Sequence, residues 1–421
     1  MSELTAISAV LTPDYLSEHL SKWFGKDIQY TKHVFSEGTG KGDSYLSDVF
    51  RITFFGIPTS GDQTEVSVRI ILKSFPANIA RRKTFRSDTF FSNEIKFYED
   101  ILPALLDFQA GKTVTDPFVS CPKVFASITN GDDDFLALED LGVTGYGNAV
   151  RQEGIDYPHC QKILETFAKF HALSFAFKDQ HPEEYKKLAA LVPEVYYNPK
   201  YWDWYKGFWN LLCICSIDAI EKEYPNTIYE KKVKEFATDA TYQKMIKAAD
   251  PSVKSAVIGH GDSWTPNFLF KYQEGTTIPT DSMMIDFQLA RSGSPILDVA
   301  FFIYACSTQE LRNEKYDDML KYYHSVLSKQ IKELGSDPEK VYSWADFMEE
   351  VKNLSFFGVG FSMESTPVII LPPEDAFEMD SITGTDAINI EEIWNIKPIK
   401  SKAGRQRLCT IFVHAVDHGY L

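Results

Sequence analysis

The chain has 421 residues, 44% of them hydrophobic and 14% aromatic, and a formal net charge of −16 from 43 Lys and Arg against 59 Asp and Glu. Such length and apolar content call for a core larger than one typical domain holds, so two lobes are expected. The excess of acid disfavours nucleic acid and anionic membrane as partners. No stretch approaches 18 apolar residues without a charge, because Asp298 interrupts PILDVAFFIYAC, so no membrane span is expected. The six cysteines are scattered; Cys213 and Cys215 in LLCICS read as buried side chains rather than metal ligands. The opening MSELTAISAVLTPDYLSEHL lacks the basic start of a signal peptide. A soluble, reducing, cytoplasmic setting is expected, with no obligate protein partner evident.

In chain order, residues 13–25 have the pattern of an amphipathic helix. Residues 28–75 change to strands and turns: VFRITFFGI (49–57) and EVSVRIILKSF (65–75) flank the turn PTSGDQ and read as a hairpin. Along the second strand Val66, Val68, Ile70 and Leu72 share one face. A helical stretch follows over 84–106, with Phe90, Glu94, Phe97 and Ile101 at helical spacing. Two short strand patterns, KVFASI (123–128) and DFLALEDL (134–141), are parted by the turn TNGDD. Beyond 143 the pattern is mostly helical, over 158–178, 200–222, 228–249, 308–334, 344–360 and 405–417. Two β-like runs, AVIGHGD (256–262) and SMMIDFQLA (282–290), interrupt it. The expected fold is α+β with two lobes: residues 1–141 form a small β-rich N-lobe, and residues 142–421 a larger, mainly helical C-lobe.

The chemistry gathers in the loops. HGDSWTPNFLFKY, His260 to Tyr272, places Asp262 and Asn267 five residues apart, and Asp286 follows the β-like run MMI. A strand–loop–strand hairpin would bring the end of 256–262 beside the start of 286–290. Asn267 and Asp286 offer the oxygen donors that a hard cation such as Mg²⁺ takes alongside substrate phosphates. Asp262 is then free to accept a proton from an attacking hydroxyl. Upstream, SEGTGKGDSY (36–45) is a Gly-rich turn in which Gly38, Gly40 and Gly42 would let backbone approach phosphates. It is not a P-loop, since no GxxxxGK[ST] occurs. Lys73 ends a strand, and Glu94 sits on the next helix. HGDxxxxN and DFQ in this chain parallel the HRDxxxxN and DFG of protein kinases, where a strand Lys and a helix Glu form the ion pair that holds ATP phosphates.

The same stretches resemble the ecdysteroid kinase-like (CHK kinase-like) family, a branch of the aminoglycoside and choline phosphotransferases with a protein-kinase-like two-lobe fold. The matching segments are LKSFP, FFSNEIKFYEDILPAL, FLALEDLG, FAKFHALSFAF, IGHGDSWTPNFLFKY and MMIDFQLARSGSPILDVAFFIY, spanning roughly 38–305. The resemblance implies ATP- and Mg²⁺-dependent phosphorylation of a small-molecule hydroxyl, of ecdysteroid alcohols in some relatives. It implies a hinge at Leu138–Leu141, with Glu139 and Leu141 meeting adenine through backbone groups, and an Asp298 that braces the catalytic loop. The family often has two consecutive Asn near the end of that loop; here Pro266 precedes Asn267, and its fixed φ should keep Asn267 in place. No APE-type element follows DFQ. The chain runs directly into GSPILDVAFF, where Ser294 and Pro295 suit the start of a helix. His260 reads as a brace of the loop rather than a base, and His171 as a packed core residue.

The acceptor is the least legible part. EVYYNPKYWDWYKGFWNLL (194–212) and FFGVGFSME (356–364) are aromatic or apolar stretches that suit both helix packing and a cavity wall. A lipophilic alcohol, ecdysteroid-like or xenobiotic, is the expected acceptor. A choline- or ethanolamine-type kinase, and a catalytically silent binder on the same fold, stay open as alternatives.

Overall fold

The computed structural model describes residues 3–36, 46–131, 133–149, 154–371, 377, 379 and 382–421. The N-terminal part builds one antiparallel sheet of five strands in the order β1-β2-β3-β5-β4: β1 Ile28–Ser36, β2 Asp48–Pro58, β3 Val66–Ser74, β4 Val124–Ile128 and β5 Phe135–Glu139. The expected hairpin is β2–β3, paired from Asp48↔Ser74 to Gly56↔Val66. Its alternation puts Val68, Ile70 and Leu72 on one face, buried with Ile52 and Phe54 against the first helices. Those helices are α1 (Glu3–Ile7) and α2 (Pro13–Phe24), which contribute Leu4, Leu16 and Leu20. Helix α2 has both end signals: the Thr12 side chain accepts from the Tyr15 N–H, and Gly25 closes the helix at φ +65°.

Between β3 and β4 the chain makes α3 (Ile79–Phe85), α4 (Ser87–Lys96), a π-helical turn at Phe97–Ile101, and α5 (Leu102–Ala110). The expected stripe is correct, since Phe90, Glu94, Phe97 and Ile101 are all buried. These helices pack into the larger core, which takes in the helical remainder of the chain.

That remainder begins with the two-residue strand β6 (Gly147–Asn148), α6 (Tyr157–Gln180), α7 (Pro182–Ala189), α8 (Trp202–Glu223), α9 (Ile228–Phe236) and α10 (Asp239–Ala248). Residues 228–249 are therefore two helices and not one. The break falls at Ala237 and Thr238, which leave helical geometry. Next come β7 (Val257–Gly259), β8 (Phe268–Tyr272), β9 (Pro279–Met284) and β10 (Arg291–Gly293). The two β-like runs do not pair with each other as expected. The hairpin is β8–β9, from Phe268↔Met284, while β7 pairs with β10 across Gly259↔Arg291. Both pairings serve the loops: one sets Asn267 beside Ile285, and the other holds the start of the His260 loop.

The chain ends in α11 (Ile296–Cys306), α12 (Gln309–Glu333), α13 (Pro338–Val341), α14 (Trp344–Ile369), α15 (Ile390–Ile393) and α16 (Lys402–Asp417). Helix α11 starts at Ile296, one residue later than GSP suggests; the Ser294 hydroxyl still accepts from the Ile296 N–H. Helix α14 opens on a capping box of Ser343 and Asp346 and runs nine residues past the expected end, carrying Pro367 in its last turn. All six cysteines are free, and Cys213 and Cys215 are buried. No helix among the described residues is long and apolar enough to cross a membrane.

Helices α11 and α14 pack closely beside the site. A Cβ on Gly358 would stand 2.4 Å from the carbonyl carbon of Ala300 and 2.6 Å from its oxygen. A Cβ on Gly360 would meet the Met245 sulfur at 2.6 Å, at the end of a flexible side chain. Gly358→Ala is expected to cost about 1–3 kcal/mol in urea unfolding, because backbone must move. Gly360→Ala is expected to be near neutral, since a gain of about 1 kcal/mol in helix propensity offsets a small repacking of Met245.

Candidate active site

Lys73, at the end of β3, is the centre of a charge cluster that joins three segments. Its Nζ donates to Glu94 Oε1 at 2.7 Å and Oε2 at 3.0 Å, and to Asp286 Oδ1 at 2.9 Å. Glu94 comes from α4 and is nearly inaccessible; the Asp286 side chain is 26% exposed. Burial alone would pull the Lys73 ammonium down, but Asp286 and Glu94 outweigh it and hold its pKa above the usual lysine value. Burial also pushes Glu94 up, with Lys73 offsetting only part of that. The Lys73 direction is the firmer of the two, because one cation lies within hydrogen-bond distance of two carboxylates.

Asp286 stands at φ +69°, a left-handed backbone that few L residues adopt. This turn ends the β8–β9 hairpin and aims the next residues back into the core. Phe287 stacks on Phe97 of the π-helical turn, with centroids 3.7 Å apart and planes 7° from parallel. Asn93, beside Glu94, donates from Nδ2 to the carbonyls of Gln288 and Ala290. The helix that carries Glu94 is thus tied to the loop that carries Asp286.

The His260–Asn267 loop is held by Asp298. Its carboxylate accepts from the N–H of His260 at 2.6 Å, the N–H of Gly261 at 2.8 Å and the Ser263 hydroxyl at 2.9 Å. His171 Nε2 lies 3.2 Å from the same group, and its Nδ1 contacts the Tyr323 hydroxyl at 2.8 Å. Burial would raise the Asp298 carboxyl, but His171 and the charge of Arg291 hold it well below the usual range. His171, expected as core packing, is therefore also a partner in the brace. His260 takes the expected bracing role: Nδ1 accepts from the Asp262 N–H, so Nε2 donates to the Ile285 carbonyl at 2.9 Å. Burial pushes its pKa down and keeps the ring neutral. Gly261 has φ +83°, and a Cβ there would lie 1.8 Å from the Leu289 carbonyl oxygen, so only glycine fits.

The brace presents Asp262 and Asn267 together. Asn267 Nδ2 donates to the Asp262 carbonyl and to its Oδ2, both at 3.0 Å. Gln288 Nε2 reaches the same Oδ2 at 3.4 Å. Oδ1 of Asp262 is the oxygen these bonds leave for another donor. Burial and the nearby Asp286 push the Asp262 carboxyl up to about 7, with Asn267 and Gln288 opposing and Glu364 adding slightly. Gln288, the last residue of DFQ, escaped the sequence reading; its place in the motif was the available clue.

Lys73, Asp262, Asn267 and Asp286 line one cavity of about 550 Å³. Gln288 lies on its wall with Val49 and Ile71 from the sheet. Glu139 and Leu141 do not line it. The Glu139 carboxylate turns away to accept from the Lys123 N–H, and the Leu141 carbonyl closes its own turn by accepting from the Thr144 hydroxyl and the Tyr146 N–H. Gly38, Gly40 and Gly42 lie outside the described residues. The donor set suits magnesium: Asn267 and Asp286 present an amide and a carboxylate oxygen to the same space, and Asp262 and Asp286 leave it acidic. Among the described residues no group of three or more His, Cys, Asp or Glu forms a metal cage.

The far end of the cavity is aromatic. Tyr196, Trp204 and Phe208 from 194–212 reach it, whereas Tyr197, Tyr205 and Trp209 pack in the core. Phe361 and Glu364 of α14 complete that wall. Glu364 was not foreseen, because one acid on a long helix carries no local pattern. It is enclosed by protein, with part of its surface open to the cavity, and accepts from the hydroxyls of Tyr196 at 2.7 Å and Tyr205 at 2.6 Å. Burial raises its pKa from 4.5 to about 7, against the two tyrosines. A carboxyl raised on folding costs nothing below the unfolded pKa and destabilises as pH rises through the window from 4.5 to 7. Glu364→Gln should therefore melt higher relative to the unsubstituted protein at pH 8 than at pH 4.5. The shift corresponds to at most about 3 kcal/mol, and paired thermal melts at the two pH values read it.

Solved structures that resemble the chain do so at low identity. An ethanolamine kinase from Plasmodium vivax is 12% identical, with 93% of this chain and 84% of that one covered and a TM-score of 0.40. A choline kinase from Streptococcus pneumoniae is 13% identical, with 85% and 98% covered and a TM-score of 0.36. The GDP complex of wild-type aminoglycoside 2'-phosphotransferase-IIIa is 15% identical, with 84% and 97% covered and a TM-score of 0.35. A comparison with curated proteins returns no match. The model of the ecdysteroid kinase-like family matches residues 41–336, well over half of the sequence, and the chain belongs to that family.

Proposed function

We propose that the protein is an ATP-dependent small-molecule kinase that phosphorylates a hydroxyl of a lipophilic alcohol, ecdysteroid-like or xenobiotic. The observation that carries the reading is the convergence of Lys73, Asp262, Asn267 and Asp286 on one cavity whose other end is aromatic. A solvated set of incidental acids would not share one enclosed space with a buried lysine held by Glu94.

Lys73 is assigned to the nucleotide phosphates, and Glu94 holds its ammonium in place. Asn267 and Asp286 would hold Mg²⁺. Bound magnesium and ATP supply charge neutralisation and the phosphoryl group to be transferred. Asp262 is the proposed base. Asn267 and Gln288 fix its Oδ2 and leave Oδ1 to take the proton of the acceptor hydroxyl. A carboxyl raised to about 7 is a better proton acceptor than an ordinary aspartate and is still ionised in good part at neutral pH. Gly38, Gly40 and Gly42 are proposed to cover the phosphates. Glu139 and Leu141 are proposed as hinge residues acting through backbone, with the division between lobes after 141 and the protein at work in the cytoplasm.

Asp262→Asn should lower transfer by about 10²–10⁴-fold while ATP still raises the melting temperature. The measurement is ADP release with a steroid alcohol as acceptor, paired with thermal shift. Near wild-type turnover of that variant would sink the assignment. In the same shift assay, ATP with magnesium should stabilise more than ATP alone, and Asp286→Asn should abolish the difference.

A further inference from the structure

The phosphate-handling residues leave one charged group of the cavity wall without a task. Glu364 faces the same space as Asp262 but from α14, among Tyr196, Trp204, Phe208 and Phe361. A carboxylate has about four lone-pair positions, and the hydroxyls of Tyr196 and Tyr205 use two of them. An acid buried among rings is costly unless further donors reach it. Its neighbour Ser365 also lines the cavity, and the Ser365 hydroxyl is buried with no hydrogen-bond partner. An otherwise apolar wall thus carries two adjacent polar groups with bonding capacity to spare.

Two ligand chemistries could use that capacity: a cationic nitrogen or a hydroxyl. The Ser365 hydroxyl favours the second, because a ligand hydroxyl can donate to Glu364 and accept from Ser365, whereas an ammonium nitrogen can only donate.

Resting on the kinase reading above, we propose that Glu364 is a specificity-determining residue that accepts a hydrogen bond from a second hydroxyl of the lipophilic acceptor, distinct from the hydroxyl that Asp262 serves. The cavity then selects apolar molecules with two hydroxyls over those with one. A mono-alcohol of the same skeleton leaves the buried carboxylate short of a donor, which is how a polar site rejects an analogue.

The test uses the full chain with two steroids that differ by one hydroxyl, at the ring end opposite the phosphorylated position, and choline as a third probe. Two variants are compared, Glu364→Leu and Glu364→Gln; the second keeps the shape of the side chain, so folding is preserved. For Glu364→Leu, KM for the diol should rise about tenfold or more, toward that of the mono-alcohol. Its kcat and its KM for ATP should stay within a few-fold. Glu364→Gln should lose much less, since an amide oxygen still accepts from a hydroxyl. An unchanged diol-to-mono-alcohol KM ratio in Glu364→Leu overturns the proposal. So does efficient phosphorylation of choline that Glu364→Gln abolishes, which would make the carboxylate a cation site. Calorimetric binding of both steroids to Asp262→Asn, alone and combined with Glu364→Leu, separates this idea from the kinase reading. A preference for the diol that Glu364→Leu erases supports the anchor even where no acceptor is phosphorylated. Transfer that proceeds with no such preference overturns the anchor and leaves the kinase reading intact.

Discussion

The ion cluster at Lys73 is the constraint on which the site depends. One ammonium sits between Glu94 of α4 and Asp286 of the turn after β9, so a strand of the sheet, a helix of the larger core and a C-terminal loop share one charge. Buried ion pairs are weak sources of stability, because desolvation offsets the attraction. They are effective at specifying position, since a misplaced partner leaves a charge unpaired in a dry interior. Here the positions specified are those of Lys73, Glu94 and Asp286. Apolar contact reinforces the same junction: Phe287 stacks on Phe97, and Asn93 binds the two carbonyls around Leu289.

A second constraint acts within the larger lobe. The loop from His260 to Asn267 makes too few repeating backbone bonds to hold itself. Asp298 supplies three of its contacts from the first turn of α11, and His260 supplies a crosspiece to Ile285. The Asp298 carboxyl is held low while the Asp262 carboxyl, two residues from His260, is pushed up to about 7. Both are buried. The difference lies in their partners: Asp298 has two backbone N–H groups, a hydroxyl and an imidazole, whereas Asp262 has two amides and a neighbouring carboxylate. One acid is held ionised as a brace and the other is brought close to neutrality by what surrounds them.

These contrasts explain what the sequence could disclose. Asp262 and Asn267 were legible because their spacing is local, and Lys73 and Glu94 because strand and helix patterns are local too. The partners of β7 and β9 were not. Both are short apolar runs, and alternation says which face is buried but not which strand lies alongside. The break in 228–249 was hidden because residues on both sides keep helical spacing across Ala237 and Thr238. Gln288 and Glu364 were missed for a different reason. Each matters only through a contact made in three dimensions, Gln288 with Asp262 and Glu364 with Tyr196, Tyr205 and the cavity.

That last distinction follows the chain in part. Lys73, Glu94, Asp262, Asn267, Asp286 and Asp298 all fall within residues 41–336, where the family model matches. On the aromatic wall Tyr196, Trp204 and Phe208 fall within it too, whereas Phe361, Glu364, Ser365, Val368 and Trp394 lie beyond it. In the proposed kinase the phosphate end must satisfy a fixed chemistry, in which a lysine, a base and oxygen donors stand at set separations. The acceptor end has only to fit a molecule, and many packings of aromatic side chains do that. Helix α14 carries Phe361, Glu364 and Ser365 and is held to α11 where Gly358 meets Ala300 and Phe361 stacks on Phe301. On the kinase reading, the identity of the acceptor is to be sought in the aromatic wall, in Tyr196, Trp204 and Phe208 together with α14, and not in the motifs that identify the family.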